Sequence, residues 1–140
     1  MRYFLAFAAA LAFSTAAVTA AAGPTVVMPG TEKYAAQPGN FQMATLFGDP
    51  SKPGLWVVRL KLPANWTFPV HYHPGRESVT VISGTFYAGV GKKMDKTKAM
   101  AFRAGSFISL PPNLPHYAFT KGPAVIDITG VQPLKNVMIK

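Results

Sequence analysis

From residue 23 onward, apolar and polar residues alternate in short runs that favour β-strands and show no helical period. The segment 55–62 is the clearest example, with Val58, Leu60 and Leu62 on one face and two basic residues on the other. Similar runs occur at 41–47, 78–82, 85–90, 98–102, 106–110, 116–119 and 124–131. Glycine and proline separate them, as is typical of turns. This spacing predicts an all-β sandwich or barrel.

Two segments precede the main β-rich region. Residues 1–22 combine Arg2, an apolar alanine-rich run and small residues at the end, which is typical of a secretory signal peptide cleaved between residues 20 and 23. An uncleaved membrane anchor is the alternative, although alanine makes the run weakly hydrophobic for that role. Residues 23–48 are predicted to form an N-terminal arm, with one strand at 25–28, before a β-barrel domain at 49–140. We therefore expect a periplasmic or secreted protein without stable membrane insertion after cleavage.

Composition restricts the chemistry further. The chain has no cysteine, which excludes disulfides, thiolate metal sites and cysteine nucleophiles. The formal net charge is +9, and both a solvated loop and an anion-contacting surface are compatible with the main basic cluster. Nucleic acid is not an expected partner, because the cluster lacks interleaved aromatic residues. The cluster consists of Lys92, Lys93, Lys96, Lys98 and Arg103.

All three histidines of the chain lie in two short stretches. His71 and His73 are two residues apart, so on an extended strand both imidazoles point to the same side. The Pro-Gly turn at 74–75 can return Glu77 to that side, and His116 follows a loop that three prolines stiffen. Three imidazoles and one carboxylate are a sufficient ligand set for a divalent transition metal.

These two stretches resemble the two motifs of the cupin superfamily. The first motif has His71-x-His73, then Glu77 after three intervening residues, then Gly84 after six more. The second motif has Gly105, then Pro111-x-Asn113 after five intervening residues, His116 after two more, and Thr120 after three more. The chain departs from the family pattern at three positions: Asn65 and Asn113 replace glycines, and Thr120 replaces an asparagine. After glycine, asparagine best tolerates a left-handed backbone, so both turns are expected to be retained.

The resemblance implies a double-stranded β-helix, the jelly-roll barrel of cupins, over roughly residues 50–130. It also implies that the metal ligands are His71, His73, Glu77 and His116. The metal stays open among manganese, iron, zinc and nickel, because imidazole and carboxylate ligands suit all four. A cupin barrel that holds no metal is the alternative. A homodimer is expected from the family and from the need to cover edge strands.

Three classes of function are compatible with such a site. Four protein ligands leave one or two open positions on a five- or six-coordinate ion, which favours a metal-dependent dioxygenase, lyase or isomerase acting on a small oxygenated substrate. A cupin that binds or senses a metal or a small ligand, including an anionic one, is the second class, and a structural or oligomer-forming exported barrel is the third. No acid–base pair beyond the ligands specifies a reaction, so catalytic residues and substrate are left unassigned.

Five further residues are candidates for the surroundings of the site. Trp66 and Phe68 come just before the ligands, and are expected in the core or beside the pocket. Tyr87 and Tyr117 are candidate hydrogen-bond donors to the pocket. Asp127 lies among apolar residues, which is typical of a polar residue on a sheet face. Orientation of a metal ligand is the alternative role for Asp127.

Overall fold

The computed structural model of the protein describes residues 23–139, so the predicted signal peptide lies outside the described residues. Within this range the secondary structure is entirely β. None of these residues belongs to a helix long and apolar enough to cross a membrane. The strands are β1 (Ala35–Gln37), β2 (Phe41–Phe47), β3 (Trp56–Leu62), β4 (Thr67–Tyr72), β5 (Glu77–Ser83), β6 (Thr85–Val90), β7 (Met100–Arg103), β8 (Phe107–Leu110), β9 (His116–Thr120), β10 (Ala124–Gly130) and β11 (Val137–Met138).

The strands form two antiparallel sheets that pack face to face. The larger sheet has the order β1-β2-β3-β10-β5-β8, and the smaller sheet has the order β11-β4-β9-β6-β7. The predicted all-β class is therefore confirmed. The strands predicted at 41–47 and 85–90 have the predicted bounds, and the other runs named from the sequence form strands whose ends differ by one or two residues.

Strand alternation determines which side chains fill the space between the sheets. In β3 the buried positions are Trp56, Val58, Leu60 and Leu62, while the positions between them are more exposed. Residues from both sheets, including Val79 of β5 and others of β6 and β9, complete one apolar core. Removing this apolar surface from water is the main favourable term for folding.

The predicted N-terminal arm contributes two strands to the larger sheet. β2 pairs with β3, and β1 pairs with β2. The strand expected at 25–28 is absent, and that prediction was wrong: these residues have irregular backbone. Val26 and Met28 are 69% and 60% exposed, because this apolar run has no sheet surface to pack against.

Arg59 connects the arm to the outer face of the larger sheet. Its Nε and Nη2 atoms donate to Asp127 at 2.7 and 2.8 Å, and Nη1 donates to Glu32 at 2.9 Å. Asp127 is therefore a polar residue of the sheet face, as predicted, and its partner is an arginine rather than a histidine. Nearby, the Lys61 ammonium lies 3.9 Å from the centre of the Tyr34 ring, a cation–π contact that also holds the arm.

Candidate metal centre

The four side chains predicted as ligands come together in the space between the two sheets. The ligand nitrogens of His71, His73 and His116 lie within 4.8 Å of one another, and all three residues are buried. Glu77 Oε2 lies 3.2 Å from His73 Nε2 and 3.4 Å from His116 Nε2. Residues from the two cupin-like motifs thus meet at one point, although they are far apart in the sequence.

Strand pairing and two left-handed turns set these positions. His71 of β4 pairs with His116 of β9, next to a register shift that distorts this ladder. The Asn113 N–H donates to the His73 carbonyl at 2.8 Å, which ties the proline-rich loop to the first motif. Asn113 and Asn65 have φ values of 61° and 56°, as expected for asparagine in the place of glycine.

Each imidazole directs its Nδ1 atom at a backbone carbonyl. A carbonyl can only accept, so each Nδ1 atom carries a proton, and a neutral ring presents its Nε2 lone pair to the centre of the site. Carbonyl partners of this kind orient histidine ligands in metal sites. The distances are 2.8 Å from His71 to Pro69, 3.0 Å from His73 to Lys135, and 2.9 Å from His116 to Leu114.

The residues fit a bound cation. His73 Nε2 is buried and has no hydrogen-bond partner within residues 23–139, although Glu77 Oε2 is only 3.2 Å away. With Nδ1 protonated, a neutral His73 and an ionised Glu77 direct lone pairs at each other, which is unfavourable away from water. A proton or a metal ion between these atoms resolves the conflict. A divalent metal also satisfies the other two Nε2 atoms.

Burial and mutual charge set the protonation of the site. Burial raises the pKa of Glu77, but His116 and His73 together outweigh it and lower that pKa to about 2. Burial, assisted by His116, lowers the pKa of His71 to about 4. Burial also opposes the charged form of His73, but Glu77 outweighs this effect and raises the pKa of His73. At neutral pH, Glu77 is therefore ionised and His71 neutral, the forms that bind a divalent metal.

A cavity of about 80 Å³ adjoins the ligands. The Phe68 ring meets the His71 ring edge-on at 4.5 Å, and Trp66 stacks on Phe68 at 5.7 Å, measured between ring centres. Both aromatic residues therefore belong to the core and also line the pocket. The rest of the wall is mainly apolar, with Asn136 as an additional polar residue. The lining consists of Phe41, Met43, Val58, Leu60, Trp66, Phe68, His71, His73, Glu77, Ile128, Leu134 and Asn136.

The prediction that Tyr87 and Tyr117 face the pocket was wrong. Both pack in a second apolar cluster on the other face of the smaller sheet. The Tyr117 hydroxyl donates to the Asp95 carbonyl at 2.5 Å. Alternation gives the reason: His116 and Ala118 point into the barrel, so the tyrosine between them points outward.

The basic cluster lies beside this second apolar cluster and shares no residue with the cavity wall. Four of its lysines line an open groove together with Tyr117. Lys96 extends over the Phe119 ring at 5.0 Å and donates to Thr67 Oγ1 at 3.3 Å. Lys98 pairs with Asp95 at 3.5 Å. Part of the cluster therefore packs locally, as in a solvated loop.

Known proteins share both the sequence pattern and the fold. The family profile described as the cupin domain matches residues 58–129. An RmlC-like cupin from Shewanella frigidimarina NCIMB 400 is 17% identical with a TM-score of 0.65, over 81% of this chain and 94% of that one. The polyketide cyclase RemF from Streptomyces resistomycificus is 15% identical with a TM-score of 0.68, over 84% and 87%. The DMSP lyase DddQ from Ruegeria pomeroyi DSS-3 is 16% identical with a TM-score of 0.61, over 76% and 60%. No curated relative matches the sequence.

At these identities the solved structures establish the fold alone, which is the predicted cupin barrel. The profile match is stronger evidence for the family, because it spans more than half of the chain and contains all four candidate ligands. Together with the paired motifs and the two packed antiparallel sheets, it shows that this chain belongs to the cupin family.

Proposed function

We propose that this cupin binds one divalent transition metal through His71, His73, Glu77 and His116 and acts as an enzyme on a small oxygenated molecule. The observation that carries the proposal is the convergence of three buried imidazoles, each oriented by a carbonyl, with a buried carboxylate beside two of them. Manganese, iron, zinc and nickel all accept such a donor set. The buried Nε2 of His73, which has no hydrogen-bond partner within residues 23–139, also supports a cation at this site.

A metal bound here supplies Lewis acidity, or redox chemistry if it is iron or manganese. The protein holds the ion and shapes the space beside it. Trp66 and Phe68 form an apolar wall next to His71, which keeps the local dielectric low and strengthens charge interactions inside the cavity.

The cavity volume limits the size of the substrate. The volume of about 80 Å³ is far below the roughly 300–1,000 Å³ of pockets for drug-sized ligands. The substrate is therefore a small molecule with a polar group toward the metal ligands or Asn136. Its apolar part packs against the aromatic wall.

The residues that line the cavity favour one of the three enzyme classes, dioxygenase, lyase or isomerase, over the other two. Apart from the candidate ligands His71, His73 and Glu77, no titratable side chain within residues 23–139 lines this cavity. Arg76 and Lys135 line a separate small space beside His73 and Glu77. Lyase and isomerase reactions commonly move a proton to or from carbon, which needs a positioned acid or base. Among the three enzyme classes, the lack of such a group in this cavity favours a dioxygenase, because a bound redox-active metal would supply the oxygen chemistry. RemF and DddQ are a cyclase and a lyase, which supports a catalytic role but not a particular reaction.

A cupin that binds a metal and a small ligand without chemistry is the second candidate. The lack of a separate acid or base in the cavity also favours this candidate. The two differ in product formation, since a binding protein shows stabilisation by the ligand but no turnover.

The experiment loads the metal-free protein separately with Mn²⁺, Fe²⁺, Zn²⁺ and Ni²⁺. Oxygen consumption and product formation are then measured with small hydroxy- and oxo-acids and with DMSP. Metal-dependent turnover that is lost in Glu77→Gln and kept in Ser109→Ala supports the enzyme. Ser109 is exposed and lies outside the cavity, so it is a suitable control. Metal binding with ligand-dependent stabilisation and no product supports the binding protein. Failure to bind any of the four metals contradicts both.

A further inference from the structure

The C-terminal segment 131–139, here called the C-terminal strap, contacts the metal centre directly. Leu134 and Asn136 line the cavity. Between them, the Lys135 carbonyl lies 3.0 Å from His73 Nδ1. Three consecutive residues of the strap therefore contribute to the site, although none belongs to a cupin motif.

His73 differs from the other two histidines in how its ring is oriented. The rings of His71 and His116 bond to carbonyls two residues earlier in the same stretch of chain, so their own backbone orients them. The carbonyl partner of His73 is 62 residues away in the sequence. A displacement of the strap around Lys135 therefore removes the carbonyl that orients His73 and leaves the carbonyls that orient His71 and His116 in place.

The strap is attached to the barrel on both sides of Lys135. The Trp56 side chain donates its Nε1–H to the Gln132 carbonyl at 2.7 Å, and the Leu134 N–H donates to the Pro50 carbonyl at 2.7 Å. Beyond Lys135, β11 pairs with β4, placing Met138 opposite His71. These attachments hold the Lys135 carbonyl at a defined distance from the His73 ring.

We infer that the C-terminal strap is a positioning element of the metal centre. Its Lys135 carbonyl keeps His73 in the Nδ1-protonated form, with Nε2 directed toward Glu77, while Leu134 and Asn136 close the cavity. The effect of the strap on metal affinity rests on the proposed function, because it requires that the site binds a metal. The effect of the strap on the orientation of the His73 ring does not. The backbone carbonyl of Lys135 supplies this hydrogen bond, so the test has to displace the strap rather than replace a side chain.

Gly75→Ala perturbs the contact between the strap and the turn that joins His73 to Glu77. A Cβ atom at this position would lie 2.6 Å from Gln132 Cβ and 2.9 Å from its Cγ, too close for either residue to stay in place. Gly75 has no positive φ, so alanine introduces no backbone strain of its own. Gln132→Gly removes both obstructing atoms and should rescue the variant. Gly122→Ala is the matched control, because a Cβ there meets nothing within 4 Å.

Two measurements are made on the wild type and on each variant. Long-range ¹H–¹⁵N spectra of the metal-free protein, recorded at a pH at which they show His73 to be neutral, report which nitrogen of His73 carries the proton, and titration with Mn²⁺ reports the affinity. We expect Gly75→Ala to mix the two His73 tautomers and to weaken Mn²⁺ binding about 10- to 100-fold, the usual effect of losing a partner that orients a ligand. Gly75→Ala/Gln132→Gly should restore both readouts to those of Gln132→Gly alone.

The inference is overturned if Gly75→Ala keeps the wild-type tautomer, or if the double variant shows no rescue. If Gly75→Ala does not fold, Trp56→Phe removes the hydrogen bond to Gln132 and should shift the tautomer in the same direction. An unshifted tautomer in a folded Trp56→Phe protein would then overturn the inference. If the wild type binds no Mn²⁺, the proposed function loses support for that metal, while the spectra still decide the role of the strap.

Discussion

Thr120 at the end of β9 holds the turn between β3 and β4, and replacing it by valine is a sharp test of the structure. Its hydroxyl donates to the Pro63 carbonyl at 2.6 Å and accepts from the Trp66 N–H at 3.1 Å. Thr120 is only 3% exposed. It occupies the position at which the cupin motif has asparagine, and it supplies both a donor and an acceptor there.

The expected cost follows from the two lost hydrogen bonds. Valine keeps the branched shape but leaves the buried Trp66 N–H and the part-buried Pro63 carbonyl without their partner. An unsatisfied buried group costs about 1–3 kcal/mol, and water can still reach part of the carbonyl, so we expect about 2–3 kcal/mol in total. For a domain of this size, 1 kcal/mol lowers Tm by about 4 °C, which gives a decrease of about 8–12 °C.

The assay is thermal unfolding of the wild type, Thr120→Val and Thr80→Val, followed by circular dichroism under identical conditions. Thr80 lies in β5 with its side chain partly exposed, and its hydroxyl has no hydrogen bond within residues 23–139, so it controls for the loss of a hydroxyl group. Thr80→Val should unfold within about 2 °C of the wild type, as surface changes usually do. If Thr120→Val also unfolds within that range, the hydrogen bonds assigned to Thr120 do not stabilise the fold.

Three further predictions concern other parts of the chain. Gly89→Ala should lower Tm by at least about 4 °C, because its Cβ would overlap the buried Tyr117 ring and overpacking costs about 1–3 kcal/mol. Glu32→Gln should destabilise the protein at pH 7, because the Glu32 backbone and Arg59 lower the pKa of this carboxyl below 4.5. The stabilisation is complete above pH 4.5 and is lost as the pH falls through the lowered folded-state pKa. Mass spectrometry of protein exported from its native host should find an N-terminus between residues 20 and 23.

Each of these predictions has a clear contrary outcome. A Gly89→Ala protein as stable as Gly122→Ala would show that Tyr117 is not held as described. A difference between the wild type and Glu32→Gln that persists unchanged well below pH 4.5 would exclude an ionic role for Glu32. An intact Met1 terminus in a membrane fraction would favour the uncleaved anchor.

The metal centre was the most predictable part of the molecule, because residue type carries most of the information. The candidate ligands are imidazole and carboxylate side chains that the sequence shows directly, and the two-residue spacing of His71 and His73 is enough to place them on one side of a strand. The left-handed turns at Asn65 and Asn113 were predictable for the same reason, since few residues tolerate that backbone conformation.

The surroundings of the site were less predictable, because they depend on contacts between distant backbone groups. The Lys135 carbonyl that orients His73 has no signature in the sequence, since every residue offers the same carbonyl. Asn136 lies beyond the last predicted strand, and only the short pairing of β11 with β4 brings it to the cavity. The orientation of Tyr117 was predictable from alternation with His116, and the interpretation that placed it in the pocket did not apply that rule.

The central claim is that His71, His73, Glu77 and His116 bind a metal ion. The most direct measurement is element analysis of protein purified without a chelator or a metal-affinity tag, with His116→Ala prepared in parallel. The account predicts close to one transition metal ion per chain in the wild type, a lower Tm after EDTA treatment, and neither property in His116→Ala. A wild type with far less than one ion per chain across manganese, iron, zinc and nickel, and with melting unchanged by EDTA, would contradict it.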